Sequence, residues 1–104
     1  ESVWPQAPLQ TFYIFEIMEW FYVYVLFSLK DKNLYTGYTN NLKQRFEQHQ
    51  KGLVSSTKFR LPLKLIYSEA CLDKSDAIAR EKYLKSGMGK RYIQNRLKCY
   101  FDSL

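Results

Sequence analysis

A chain of 104 residues, 46% of them hydrophobic, is long enough to bury one core and too short for two, so a single domain with one active site or binding face is expected. The formal net charge of +6 is uneven: residues 1–29 hold Glu1, Glu16 and Glu19 with no Lys or Arg, a sum of −3, whereas residues 30–104 hold all 16 basic residues against seven acids, a sum of +9. That field favours polyanionic partners, an aromatic content of 17% offers faces on which nucleobases stack, and two distant cysteines, Cys71 and Cys99, exclude a disulfide framework and a Cys-x-x-Cys zinc site.

In chain order, residues 1–20 read as a poorly patterned N-terminal extension carrying Pro5 and Pro8, and the single domain is expected over 21–104, with Met18 as the expected natural start. The apolar run from Phe12 to Leu29 has almost the length of a membrane span, but it contains Glu16 and Glu19, and an acid at the centre of a span costs about 2.5–3.5 kcal/mol. A membrane helix is therefore rejected. The N-terminus lacks a basic start, an apolar run and a small-residue cleavage site, so no secretory leader is expected either. With reduced cysteines, a cytoplasmic location follows.

From Phe21 to Leu29 apolar residues recur at every second position, the period of a strand. A polar turn, "KDKN", leads to a second strand over Leu34 to Thr39, which completes a hairpin. Pairing Leu29 with Leu34 puts Phe21, Val23, Val25, Phe27, Leu34, Thr36 and Tyr38 on a core face and Tyr22, Tyr24, Tyr35, Gly37 and Thr39 on the other. Asn40 is the expected N-cap of a helix running to about Lys51 and stopped by Gly52. On it Leu42 and Phe46 form the buried stripe, and Arg45 and His49 form a neighbouring stripe at the edge of the core. "LVSSTKFRL" is a polar, basic loop before a third strand over Pro62 to Ala70. A second helix spans Asp73 to Ser86, and a third runs from Met88 to about Cys99. The order ββαβαα describes an α+β fold, a small three-stranded antiparallel sheet flanked by helices.

Glu81 breaks the pattern of its helix. At 100° per residue it lies about 40° from Ala77 and about 60° from Leu84, inside the apolar stripe. An unpaired carboxylate there would cost several kcal/mol or lose its charge, so a cation must meet it. Two readings fit: an ion pair with Arg45, Lys82 or Lys85, or a divalent-metal ligand, since one carboxylate with waters and substrate phosphate oxygens suits Mg2+. Arg45 and His49 likewise read either as a solvated helix edge or as a pair that meets a phosphate. Gly37 weakens a strand unless something must approach its backbone closely. Lys43, Lys58 and Arg60 read as phosphate contacts or as plain surface charge.

Taken in order, these residues resemble the GIY-YIG nuclease family, and most closely its small stand-alone bacterial members and the excinuclease-like catalytic domain. "YVY" (Tyr22–Tyr24) stands for the first motif and "YTG" (Tyr35–Gly37) for the second. "YTNNLKQRFEQH" supplies the family's helical Arg and following His as Arg45 and His49, and "DAIAREKYLK" its metal-binding Glu as Glu81. The resemblance implies a metal-dependent DNA endonuclease with one Mg2+ or Mn2+ on Glu81. It further implies that Arg45 steadies the scissile phosphate, Tyr24 activates or orients water, Tyr35 assists and His49 is an alternative base. Asn95 takes the place of an Asn that helps some members bind phosphate. The first motif carries Tyr22 where the family usually has Gly. DNA recognised by structure rather than sequence, or delivered by a protein partner, fits a chain of this size, which carries no signal of oligomeric state. A nucleic-acid-binding module of the same fold that does not cut is the alternative.

Overall fold

The computed structural model describes residues 19–104; most of the expected extension, with Met18, lies outside the described residues. The strands form as their alternation dictates: β1 over Phe21–Ser28 and β2 over Leu34–Thr39. The helix α1 (Leu42–Gln50) leads to β3 (Leu63–Cys71), which is followed by α2 (Lys74–Lys85), α3 (Gly87–Arg96) and α4 (Lys98–Asp102). The expected order holds. The last expected helix is broken at Leu97, and its second piece carries Phe101 to within 6.0 Å of Phe27, ring centroid to centroid. Among the described residues no helix is long and apolar enough to cross a membrane.

The sheet has three antiparallel strands in the order β2-β1-β3. The hairpin register pairs Phe27 with Leu34, two residues from the expected pairing of Leu29 with Leu34. Because side chains alternate with period two, a slip of two leaves every residue on its expected face. Between β1 and β3 the register shifts after Val25, with Val25 opposite Tyr67 and Leu26 opposite Leu65. Ile66 is thus an extra residue, a β-bulge that switches which face of β3 points where. Leu63 and Leu65 go to one side of the sheet; Ile66, Tyr67 and Cys71 go to the other.

The expectation that only one face of the hairpin belongs to the core is corrected. Every residue of β1 from Val23 to Ser28 is buried, because helices cover both faces. Val23 and Val25 pack with Ala77, Leu84 and Ile93 of α2 and α3. On the opposite face Tyr24 and Leu26 pack with Leu63 and are roofed by Leu42 and Phe46 of α1. A tyrosine ring is mostly apolar surface, so its face is buried as readily as a valine face provided the hydroxyl finds a partner.

Candidate active site

The partner of the Tyr24 hydroxyl is His49. Tyr24 is 1% exposed, and its phenol lies across β2 above Gly37. A Cβ on residue 37 would sit 2.5 Å from the Tyr24 oxygen, so glycine is what makes room for the ring. From there Tyr24 Oη reaches His49 Nε2 at 2.8 Å.

His49 is brought to that point by α1, whose geometry follows from its cap. Asn41, not the expected Asn40, is the N-cap: its side chain accepts from the Gln44 backbone N–H at 3.1 Å, and Thr39 Oγ1 accepts from the Asn41 N–H at 3.1 Å. Gly52, at φ +73°, ends the helical region as expected. His49 is fully buried rather than at the core edge, because the segment after α1 folds back over it. There Thr57, also fully buried, places Oγ1 2.8 Å from His49 Nδ1. Burial, reinforced by the nearby Arg45 charge, lowers the His49 pKa to about 4, so the ring is neutral at pH 7.

Tyr35 stands edge-on to His49 with ring centroids 5.2 Å apart, and 6.4 Å from the Tyr24 ring. Arg45 is half-buried one turn before His49 and donates a hydrogen bond to Gln48 at 3.0 Å. Burial raises the Tyr24 pKa; Arg45 pulls it down, and the charges of Tyr35 and Glu81 raise it further. Of the other side chains expected to be catalytic, His49, Tyr35 and Arg45 surround the Tyr24 hydroxyl, by hydrogen bond, by ring contact and by charge, whereas Glu81, in the other helical layer, acts on it by charge alone. The Glu81 carboxylate is half-buried and pairs with Lys85 at 3.2 Å, one of the three cations expected for it.

Beside this cluster an open groove of about 420 Å³ runs along Arg45, Gln44 and Gln48 of α1, past Thr39 and Tyr38, to Lys74 at the start of α2. It brings cationic groups of both helical layers to one end of the sheet. The expected nucleic-acid contacts are more dispersed. Lys43 lines a second groove with Tyr22, the residue at the usual Gly position, and Phe46. Lys58 lies 4.9 Å over the ring of Phe59, which is 75% exposed. Arg60 is engaged by Asp31 at 2.6 Å, and Asn95 is exposed on α3.

Among the described residues no three His, Cys, Asp or Glu side chains group as a ready-made metal cage. The donor set nevertheless fits a hard divalent cation: Glu81 offers carboxylate oxygens, and its one ion-pair partner, Lys85, has a side chain 54% exposed and free to swing into solvent. Thr57 and Gln48 are the contacts that sequence reasoning missed. The only signal of Thr57 was a hydroxyl residue in a polar loop after a helix that ends on a lone histidine.

The GIY-YIG catalytic-domain profile matches residues 20–100. A UPF0213 protein of Limosilactobacillus reuteri is 46% identical over 70 residues, 64% of this chain and 72% of its own length. Another, of Bacillus licheniformis, is 42% identical over 79 residues, 72% of this chain and 80% of its own. A third, of Clostridium perfringens, is 46% identical over 65 residues, 62% and 69% of the two chains. No solved structure gives a significant match. With the profile spanning both sheet motifs, all three strands and α1 to α3, the chain belongs to the GIY-YIG nuclease family.

Proposed function

We propose that this protein is a metal-dependent DNA endonuclease that hydrolyses phosphodiester bonds and selects DNA by its structure rather than its sequence. The observation that carries this reading is the buried hydrogen bond between Tyr24 and neutral His49, set within the charges of Arg45 and Glu81. A phenol, with its ordinary pKa near 10 raised further by burial, is a poor base unless its own proton leaves as another arrives. His49 supplies the acceptor. As a water O–H bond breaks, that proton passes to Tyr24 Oη while the original Tyr24 proton passes to His49 Nε2. The water oxygen bonds to phosphorus, the P–O bond to the leaving sugar oxygen breaks, and that oxygen takes a proton from solvent. His49 then returns its proton through Tyr24 to solvent, leaving a phosphomonoester and a free hydroxyl.

Arg45 steadies the scissile phosphate by charge-assisted hydrogen bonds, and Tyr35 assists by holding the edge of the imidazole. Glu81 would hold Mg2+ or Mn2+, which when bound supplies a positive charge against the one growing on the phosphate oxygens. Lys43, Lys58, Arg60 and Asn95 contact the DNA backbone, with Arg60 contributing least because Asp31 already engages it. Such contacts position DNA without reading sequence, which supports selection by shape or delivery by a protein partner in the cytoplasm.

One observation favours the alternative of a binding module that does not cut: Tyr24 is almost wholly out of solvent. Incubating the protein with duplex, nicked, flap and branched DNA, with and without Mg2+ or Mn2+, separates the two. The nuclease reading predicts cleavage of at least one branched or flapped substrate only when metal is present. Binding of every substrate with none cut in either metal establishes the alternative.

A further inference from the structure

A neutral imidazole has one N–H and one lone pair, and its partners decide which nitrogen carries which. Around His49 both partners are fixed: Tyr24 Oη faces Nε2 and Thr57 Oγ1 faces Nδ1, each at 2.8 Å. Tyr24 is 1% exposed and His49 and Thr57 are 0% exposed. We infer that Thr57 is a positioning residue whose hydroxyl accepts from Nδ1–H, so holding His49 in the tautomer that leaves Nε2 free to take the Tyr24 proton. The catalytic meaning of this inference rests on the proposed nuclease reading; the tautomer itself does not.

Two arrangements satisfy both hydrogen bonds. In the first, Tyr24 donates to Nε2 and Nδ1–H donates to Thr57. In the second, Thr57 donates to Nδ1 and Nε2–H donates to the phenol oxygen. The second aims two donors, Nε2–H and the nearby Arg45 guanidinium, at one oxygen and leaves the phenol hydrogen to find another acceptor. Each arrangement leaves one hydroxyl hydrogen to find another acceptor, that of Thr57 in the first and that of Tyr24 in the second. A phenol, with its ordinary pKa near 10, is a stronger donor than an aliphatic alcohol and the alcohol oxygen the better acceptor, which favours the first.

The hydroxyl is held ready by its own backbone. Thr57 N–H donates to Val54 O at 3.1 Å, Lys58 N–H to the same oxygen at 2.9 Å, and Arg60 N–H to Thr57 O at 2.9 Å. Ser28 Oγ then donates to Arg60 O at 2.7 Å, which ties the loop to β1. The segment after α1 thus braces the imidazole from behind, with Val54 and Thr57 turned inward and buried.

His49 is the only histidine, so ring-nitrogen NMR on uniformly 15N-labelled protein reads this tautomer without assignment ambiguity. The expected spectrum at pH 7 has a protonated Nδ1 and an unprotonated Nε2. Thr57→Ser keeps that pattern and cleaves within about tenfold of the parent protein. Thr57→Val, of the same shape but without the hydroxyl, moves the ring toward Nε2–H and lowers cleavage by about 10²-fold or more. A parent spectrum showing Nε2–H overturns the inference even if the enzyme cuts, as does a Thr57→Val protein that retains both the tautomer and the rate. If the parent cuts nothing, the nuclease reading falls while the spectrum still decides the role of Thr57. Should Thr57→Val fail to fold, the parent and Thr57→Ser spectra decide it.

Discussion

Tyr24, Gly37 and His49 show how tightly one residue constrains another here. The phenol occupies the space a side chain at position 37 would take, and it is held there by burial and by its bond to His49. Gly37→Ala therefore displaces the ring rather than nudging it, with an expected loss of about 1–3 kcal/mol in denaturant unfolding and a collapse of cleavage. His49 makes a second prediction. Its folded pKa, about 4, lies below the ordinary value of 6.5, so between those limits the unfolded chain binds a proton that the folded one does not. Stability is then full above pH 6.5 and falls as pH drops toward 4, with a slope approaching about 1.4 kcal/mol per pH unit. Asp31, held down to about 2 by Arg60, and Glu69, whose burial is outweighed by Arg80 and Tyr67 so that it sits below the usual carboxylate range, add their own losses at the acid end. The fall measured between pH 7 and about 5.5 is therefore the part that reads His49. His49→Phe should flatten the slope. Tyr24, Tyr35 and Gly37 were legible as a group because alternation survives a register slip of two; Thr57 was not, since its contact depends on how a loop returns.

Elements carry the site through their ends and irregularities. The cap of α1 sets the azimuth at which Arg45 and His49 leave the helix, and the adjacent asparagines make a clean comparison. Asn41→Ala should cost about 1 kcal/mol in thermal unfolding and reduce cleavage, whereas Asn40→Ala, whose side chain is exposed outside the cap, should change stability by only a few tenths. Sequence alone placed the helix but chose the wrong asparagine, because either can precede Leu42 and only the returning backbone of β2 decides. The bulge at Ile66 was equally hidden. Its trace is the doublet of apolar residues, Leu65 and Ile66, in a strand that otherwise alternates, and a doublet acquires meaning only against a paired neighbour.

Across the whole molecule the sheet is a partition. One face roofed by α1 holds Tyr24, His49 and Arg45; the other, under α2 to α4, holds the core from which Glu81 projects. The burial of Glu81 was readable from its place on the helical wheel, but its pairing with Lys85 rather than Arg45 depends on which layer each cation belongs to. The +9 charge of residues 30–104 gives the molecule a field that favours polyanions, so the proposed DNA binding should weaken as salt rises, independently of any cutting. In the proposed mechanism cutting depends on the acid. Glu81→Gln keeps the shape of that side chain and removes its charge, so cleavage rates and DNA affinities of parent and variant, measured on the same branched substrate in Mg2+, separate chemistry from binding. The expected result is a loss of at least about 10²-fold in cleavage with affinity within about threefold; a Glu81→Gln protein that cuts as fast as the parent would contradict a catalytic role for this carboxylate.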